Sequence, residues 1–481
     1  MSETPATPQR YSPLLGICLL YLLLPNILFL VGWVEPWLAW PLAALLSAGC
    51  WLLWRRSTFA PRAPMTRRDK GSLGLCLLAG AAIVYLTGFN GDFPQSNDFI
   101  VRNAVYSSLV NDAWPLHSAR GEYFVYYHAF VLPPAVLGKL IGGMLPAWLF
   151  QALWVYLGLA LVIICLHRRA GRRTLSLLVF MFGLACMQEL LGRADVFARY
   201  IPGLQGLVDA YWSLVPQPLY YVGMWHQLVA TYNHAVPVLL FLAMVHARLL
   251  PWHTLLPVSA LVVVSSPLGA VVLLVYLAFK MLPCMRRDGI VPVFRHALLY
   301  VAIPLLVLLG LYYSSGEGSQ CLPAWQSAMF DGKTRHLLVA YGLGTVSMLL
   351  PLCVFGWRYR HTAGFRASLL LLLALPWFWT GVDQNELLLK GSILPYFFMA
   401  VFLHGAWKHA ALPRRCVYLL LFAACAYIPF LDIQHRLREF GTSPQQHELN
   451  IRNEWHGHLN NPNHEWYSRF WGAQAPPLFR P

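Results

Sequence analysis

Long apolar stretches separated by short polar breaks run along almost the whole chain. Segments such as Cys18–Leu24, Leu73–Leu86, Ala235–Met244 and Ala297–Leu311 recur, each inside a stretch of about 15 to 23 apolar residues, which is the span of a bilayer core. Read between breaks, the pattern predicts spans near 13–33, 36–54, 72–89, 146–166, 174–192, 228–248, 254–264, 267–282, 297–315, 336–356, 367–381, 391–407 and 416–431. The pair 254–264 and 267–282 flanks Ser265-Ser266-Pro267 and is too short for two full crossings. A helical hairpin or broken helix is expected there, because proline removes a backbone donor at the break. The segment 126–145 is apolar but contains Pro133-Pro134, and it is expected to lie along the membrane interface. The fold class that follows is an all-α polytopic membrane protein with about 11 to 13 transmembrane helices.

Composition sharpens this. The 481 residues are 58% hydrophobic and 11% charged, with a mean hydropathy of +0.53. Soluble domains carry about 25% charged residues, so a soluble enzyme is excluded. The 19 Trp and 23 Tyr suit aromatic belts at the two interfaces. Ten cysteines give neither a disulfide framework nor a zinc spacing: most sit in or beside apolar helices, and only Cys321 falls in a polar outer loop. Arg10 precedes a long apolar run with no small-residue cleavage site behind it, so an uncleaved anchor is expected.

The net charge of +15 raises the question of nucleic acid, but no basic segment is interleaved with aromatics on a soluble fold. Topology explains it instead. With 126–145 on the outer interface, the basic clusters Arg55–Lys70, Arg168–Arg173, Lys280–Arg295, Arg358–Arg366 and Lys408–Arg415 all share one side with few acids (Glu3, Asp69, Asp288). The positive-inside rule then puts the N-terminus inside and the C-terminus outside. Three regions follow: 1–71, an N-terminal transmembrane hairpin with a basic cytoplasmic loop; 72–431, a transmembrane core with long outer loops 90–145 and 193–227; and 432–481, a short outer tail. No fixed-period repeat or low-complexity tract is present.

The first outer loop carries the candidate chemistry. Ser96 or Asn97 can cap a helix beginning near Asp98, whose acidic first turn suits the helix dipole. Phe99, Val101, Ala104, Val105, Ser108 and Leu109 alternate with Arg102, Asn103 and Asn111, the pattern of an amphipathic helix lying on the membrane and ending before Trp114-Pro115. Asp98 and Arg102 are four apart: either an ion pair that solvates this helix, or a carboxylate held where a lipid-linked substrate presents its headgroup.

Asp98 just after a transmembrane helix, the amphipathic helix, Trp114-Pro115 and an aromatic Pro-Pro segment together resemble the first outer loop of GT-C glycosyltransferases. That superfamily includes oligosaccharyltransferases, protein O-mannosyltransferases and aminoarabinose transferases. The resemblance implies a GT-C-like fold, with membrane-parallel helices in this loop. It also implies transfer of a sugar from a polyprenyl-phosphate carrier, with inversion, to a lipid, glycan or protein acceptor on the outer face of a bacterial inner membrane. It makes Asp98 the catalytic carboxylate, with Asp92 the nearby alternative. Arg193-Ala194-Asp195 stands where oligosaccharyltransferases carry an acidic motif, so Asp195 is carried over as a ligand of substrate or of a divalent cation, Mg or Mn. Trp225-His226-Gln227, Tyr232 through Pro237, and Asp383 through Ile393 resemble blocks in bacterial members. The chain departs from the pattern in three ways: Phe99 follows Asp98 in place of a second acid, Asp195 has no acid two residues away, and no Trp-Trp-Asp motif occurs.

Such a transfer needs a carboxylate to take the acceptor proton and positive charge where the phosphate leaves. Arg102, Arg193, Arg199 and Lys390 are the outer-side candidates. Lys390 could equally snorkel to the interface, and Arg193 and Arg199 could anchor against headgroups. His234 is read as a packing residue or a substrate ligand. Glu189 is read as a partner of Arg193. His456-Gly457-His458 matches no standard zinc spacing, and the tail is read as a small lid. The competing function classes are a transporter or flippase of lipid-linked glycans, which predicts buried charges along a mid-membrane path, and an outer-leaflet polysaccharide polymerase or ligase.

Overall fold

The computed structural model describes residues 12–57, 64–89, 93, 97–117, 122–186, 206, 209, 221–315, 321–327, 334–380, 385–440, 471–472 and 475–480. Among them, ten helices are long and apolar enough to cross a membrane, and the chain is an all-α, multi-pass membrane protein. The ten are α1 (Pro13–Trp33), α2 (Pro36–Arg56), α3 (Arg67–Leu86), α6 (Met144–Ala170) running on into α7 (Thr174–Gly183), α8 (Met224–His246), α10 (Pro267–Asp288), α11 (Ala297–Ser314), α12 (Thr334–Gly356), α14 (Glu386–Gly391) continued by α15 (Ile393–His409), and α16 (Leu412–Arg438). Shorter apolar helices are α5 (Leu132–Ile141), α9 (Leu255–Val263) and α13 (Ala363–Ala374). The expected spans 146–166 and 174–192 appear as two helices, α6 and α7, which part at Gly171, where φ is 59° and the backbone is not helical, and at the 3-10 turn Gly171–Arg173; the described part of α7 ends at Gly183. The expected span 367–381 is the short α13, which gives way to the strand β3 (Phe378–Thr380).

Local sequence accounts for the ends. Pro13, Pro36, Pro267 and Pro413 stand in first turns, where a missing N–H costs nothing. Thr66 and Asp69 form a reciprocal capping box at the start of α3. The break between α9 and α10 falls at Ser265-Ser266-Pro267 as expected, with Ser266 in a non-helical conformation.

Burial separates a centre from a rim. The α8 span is 94% buried and α14–α15 89%, whereas α3 and α16 are each 17% buried. Rim helices turn residues such as Leu78, Leu419 and Leu420 outward, as lipid-facing helices do. Within the centre, Asn26 donates to the carbonyls of Leu22 and, on α9, Leu261 (2.8 and 2.9 Å). Gly158 of α6 leaves room for Tyr21 and Val236 to meet its backbone.

Contacts also sort the loops into two groups. Asp69 pairs with Arg172 at 2.8 Å, and Ser176 meets His404 at 3.2 Å. In the other group, β1 (Tyr123–Phe124) pairs antiparallel with β4 (Trp471–Gly472), and β2 (Cys321–Pro323) with β3. The C-terminal segment docks on the end of α1: Glu35 N–H donates to Leu478 O (3.0 Å) and Arg480 N–H to Trp33 O (2.9 Å). Phe479 is buried against Phe29 and Tyr312.

Two segments of the first long loop are packed more deeply than their sequence pattern alone requires. In the helix α4 (Asn97–Asn111), expected on the membrane surface, residues 103–110 are all buried in the protein. Its nominally polar side is covered too: Asn103 and Ser108 are buried, and Tyr106 donates to Ala147 O of α6 at 2.6 Å. The segment 126–145, expected along the interface, is buried through Ala135. Tyr312 clamps it, accepting from the Tyr126 N–H (3.0 Å) and donating to Phe124 O or Tyr126 O (3.2 Å each).

Candidate functional site

Three of the sequence-predicted residues, Arg102, His234 and Lys390, come together around Tyr127 and Tyr232. Arg102 projects from α4, half-buried, with its guanidinium 5.5 Å from the centre of the Tyr232 ring, a cation–π distance. Tyr232 is itself fixed, its hydroxyl accepting from Gln151 Nε2 at 2.6 Å.

Lys390 is held by α14. Asn385 caps that short helix, accepting from Leu388 N–H at 3.1 Å, and donates to Phe378 O at 2.7 Å. Glu386 in the first turn then faces Lys390 in the last, and the two form an i,i+4 ion pair with side chains 12% and 3% exposed. The ammonium also donates to the Tyr127 hydroxyl at 3.1 Å and lies 4.6 Å from that ring's centre. Lys390 is therefore buried and paired, which overturns the snorkelling alternative. The i,i+4 spacing of Glu386 and Lys390 was the available signal for this pair.

His234 sits in α8 just after a kink at Thr231, where φ is −137° and ψ 39°. Pro237 lies four residues beyond Asn233 and cannot donate to its carbonyl, and Thr231 bonds back to Gln227 (Oε1 at 2.5 Å). His234 is fully buried. Its Nδ1 contacts Ser266 Oγ at 3.1 Å, and its ring centre lies 4.3 Å from that of Tyr127. Tyr127 thus stands between the histidine and the lysine.

Beside this cluster an open pocket encloses about 270 Å³, including the solvent at its mouth. Arg102, Tyr126, Tyr127, His128, Tyr232 and Asn233 line it. The rings of Tyr126 and Tyr127 pack at 4.0 Å. His128 rests on Trp33 at 4.5 Å, and burial pushes its imidazole down to about 3, so the ring is neutral at ordinary pH. Tyr127, His128, Asn233 and Glu386 are the residues that sequence reasoning missed. Tyr126-Tyr127-His128 announced itself only as an aromatic stretch.

Asp98 lies in the first turn of α4, one turn before Arg102, with its side chain outside the described residues. Asp92, Arg193 and Asp195 lie outside the described residues altogether, as do Glu189, Arg199 and His456-Gly457-His458. Among the described residues, no three His, Cys, Asp or Glu side chains gather as a metal-binding group. Chemically, the described cluster offers the cations Arg102 and Lys390, the latter paired with Glu386, together with flat aromatic walls and neutral imidazole and amide groups. The chain matches no family model, no curated protein and no solved structure.

Proposed function

We propose that the protein is a membrane glycosyltransferase of GT-C type. It moves a sugar from a polyprenyl-phosphate carrier to a lipid, glycan or protein acceptor on the outer face of a bacterial inner membrane, with its N-terminus cytoplasmic and its C-terminus periplasmic. The observation that carries this reading is the meeting of Arg102 and Lys390 with His234 around Tyr127 and Tyr232, beside an open pocket and one turn from Asp98 on α4. In this reading Asp98 takes the acceptor proton as the new bond forms at the anomeric carbon, and the sugar–phosphate bond breaks with inversion. The electron pair leaves on the phosphate oxygen, where Arg102 and Lys390 stabilise the developing charge. A divalent cation at Asp195, with Arg193 nearby, belongs to the same reading, and no step here is routed through it.

The buried Lys390–Glu386 pair is what a transporter of lipid-linked glycans would also use. Its partner Tyr127 belongs to the loop that precedes α5, which supports a site built with that loop. The test is transfer from pooled radiolabelled polyprenyl-phosphate sugars to membrane extract, with wild type and Asp98→Asn in lipid nanodiscs. Loss of turnover by about 10²-fold or more in the variant supports the assignment. Unchanged turnover moves the base to Asp92 or to a histidine-based polymerase, and binding without turnover by wild type favours the transporter.

A further inference from the structure

Buried polar atoms in folded proteins are nearly always hydrogen-bonded, and a group left unmade costs stability. His128 departs from this on both sides of its ring. The residue is 2% exposed, and neither Nδ1 nor Nε2 has a hydrogen-bond partner among the described residues. The same holds for Oδ1 of Asn233, 5% exposed, whose Nδ2 makes one long contact of 3.5 Å to Tyr127 O. Both residues line the pocket described above. The surroundings of His128, with Phe29, Trp33 and Phe124 at 4.5 to 6.4 Å, would accept a phenylalanine. A polar residue is kept where an apolar one would pack.

We infer that His128 and Asn233, with the tyrosine faces beside them, form a subsite for an uncharged, hydroxyl-bearing ring, separate from the cationic side of the pocket at Arg102 and from Lys390 beyond Tyr127. A neutral imidazole presents one donor and one acceptor, and burial holds His128 neutral. Asn233 Oδ1 adds an acceptor. A sugar hydroxyl both donates and accepts, so it can satisfy each of these atoms, whereas an anion has nothing to donate to the acceptors. The rings of Tyr126, Tyr127 and Tyr232 provide flat apolar faces for the C–H side of such a ring. This inference rests on the glycosyl-donor reading and deepens it: the sugar is read by His128 and Asn233, and the phosphate by the cations.

The test compares full-length wild type, His128→Phe, His128→Gln and Asn233→Leu in lipid nanodiscs. Affinities are measured for bare polyprenyl phosphate and for polyprenyl-phosphate-linked mannose, glucose, galactose and arabinose. Wild type is expected to bind at least one glycosylated lipid about tenfold or more tighter than the bare one. His128→Phe and Asn233→Leu should erase that preference and leave bare-lipid affinity intact, with His128→Gln keeping part of it. His128→Phe should also melt no lower than wild type. Equal wild-type affinity for bare and glycosylated lipids overturns the inference while leaving the phosphate-binding reading standing, as does a loss in the variants that is equal for both lipids. If no lipid binds, the function reading falls, and saturation-transfer NMR of wild type with methyl glycosides of the same sugars decides the subsite. Transfer that disappears in His128→Phe upholds it, and absence of transfer overturns it.

Discussion

Lys390 and Glu386, four residues apart on a six-residue helix, form an ion pair that is almost wholly buried, and the Lys390 ammonium also touches Tyr127 from a loop 263 residues earlier. A buried pair is costly to assemble but far costlier to break, because the surviving charge is left uncompensated. Glu386→Gln is therefore expected to destabilise the protein by about 3–5 kcal/mol, read as a lowered melting midpoint in detergent. The double variant Glu386→Gln/Lys390→Met should recover much of the loss. A midpoint unchanged in the single variant would show that the pair carries no such constraint.

The Arg102 guanidinium over Tyr232 gives a second expectation. In the proposed reaction, Arg102→Ala should weaken donor binding about tenfold to a hundredfold, from the roughly 1.5–3 kcal/mol of a hydrogen bond to a charged group. Arg102→Lys should not restore it fully, since a lysine lacks the planar fork that stacks on a ring. Tyr232→Phe keeps the ring and should cost less than Tyr232→Leu. Radiolabelled donor binding across the four variants checks the order.

His128 links pH to stability. Its imidazole is pushed down to about 3 by burial, against about 6.5 in an unfolded chain. Between those values the unfolded state binds the proton and the folded state does not, so the contribution of His128 is complete above pH 6.5 and is lost as pH falls toward 3. The slope is at most about 1.4 kcal/mol per pH unit. Melting midpoints of wild type and His128→Phe between pH 4 and 7 should converge toward neutrality and part in acid, with wild type falling faster. Parallel curves would argue against a neutral buried histidine.

Phe479 packs its ring 5.6 Å from Tyr312 and 6.3 Å from Phe29, at the point where the C-terminal segment bonds to the end of α1. Phe479→Ala should cost about 3–5 kcal/mol, the usual range for a buried phenylalanine. Protease should then cleave the C-terminal segment first, with the helical bundle surviving. Cleavage of wild type and variant at the same rate would show that the segment is not held by this ring.

Gly158 offers a steric test. A Cβ there would collide with the Tyr21 hydroxyl and with Val236, so Gly158→Ala should lower stability by about 1–3 kcal/mol through overpacking. Gly71, around which nothing lies near, is the control, and Gly71→Ala should leave the melting midpoint unchanged or slightly raised.

What the sequence determined by itself was what depends on neighbours along the chain. Apolar length sets which segments can cross a bilayer, because each must satisfy its backbone internally. Proline and capping residues set where helices begin, as at Thr66-Asp69 and at Ser266-Pro267. The spacing of Glu386 and Lys390 already put them on one helical face. Tertiary packing decided the rest. The pattern of α4 fits a membrane surface as well as a protein cleft, since both reward an apolar stripe; the neighbours that cover Asn103 and Ser108 exist only in the packed protein. Nothing local ties Arg102 to Tyr232, Tyr127 to Lys390, or His234 to Ser266, because those contacts exist only once separate helices and the loop before α5 have packed together. His128 looked unremarkable in the sequence for the same reason: the want of a partner is a property of its packed surroundings, and no residue pattern along the chain encodes it.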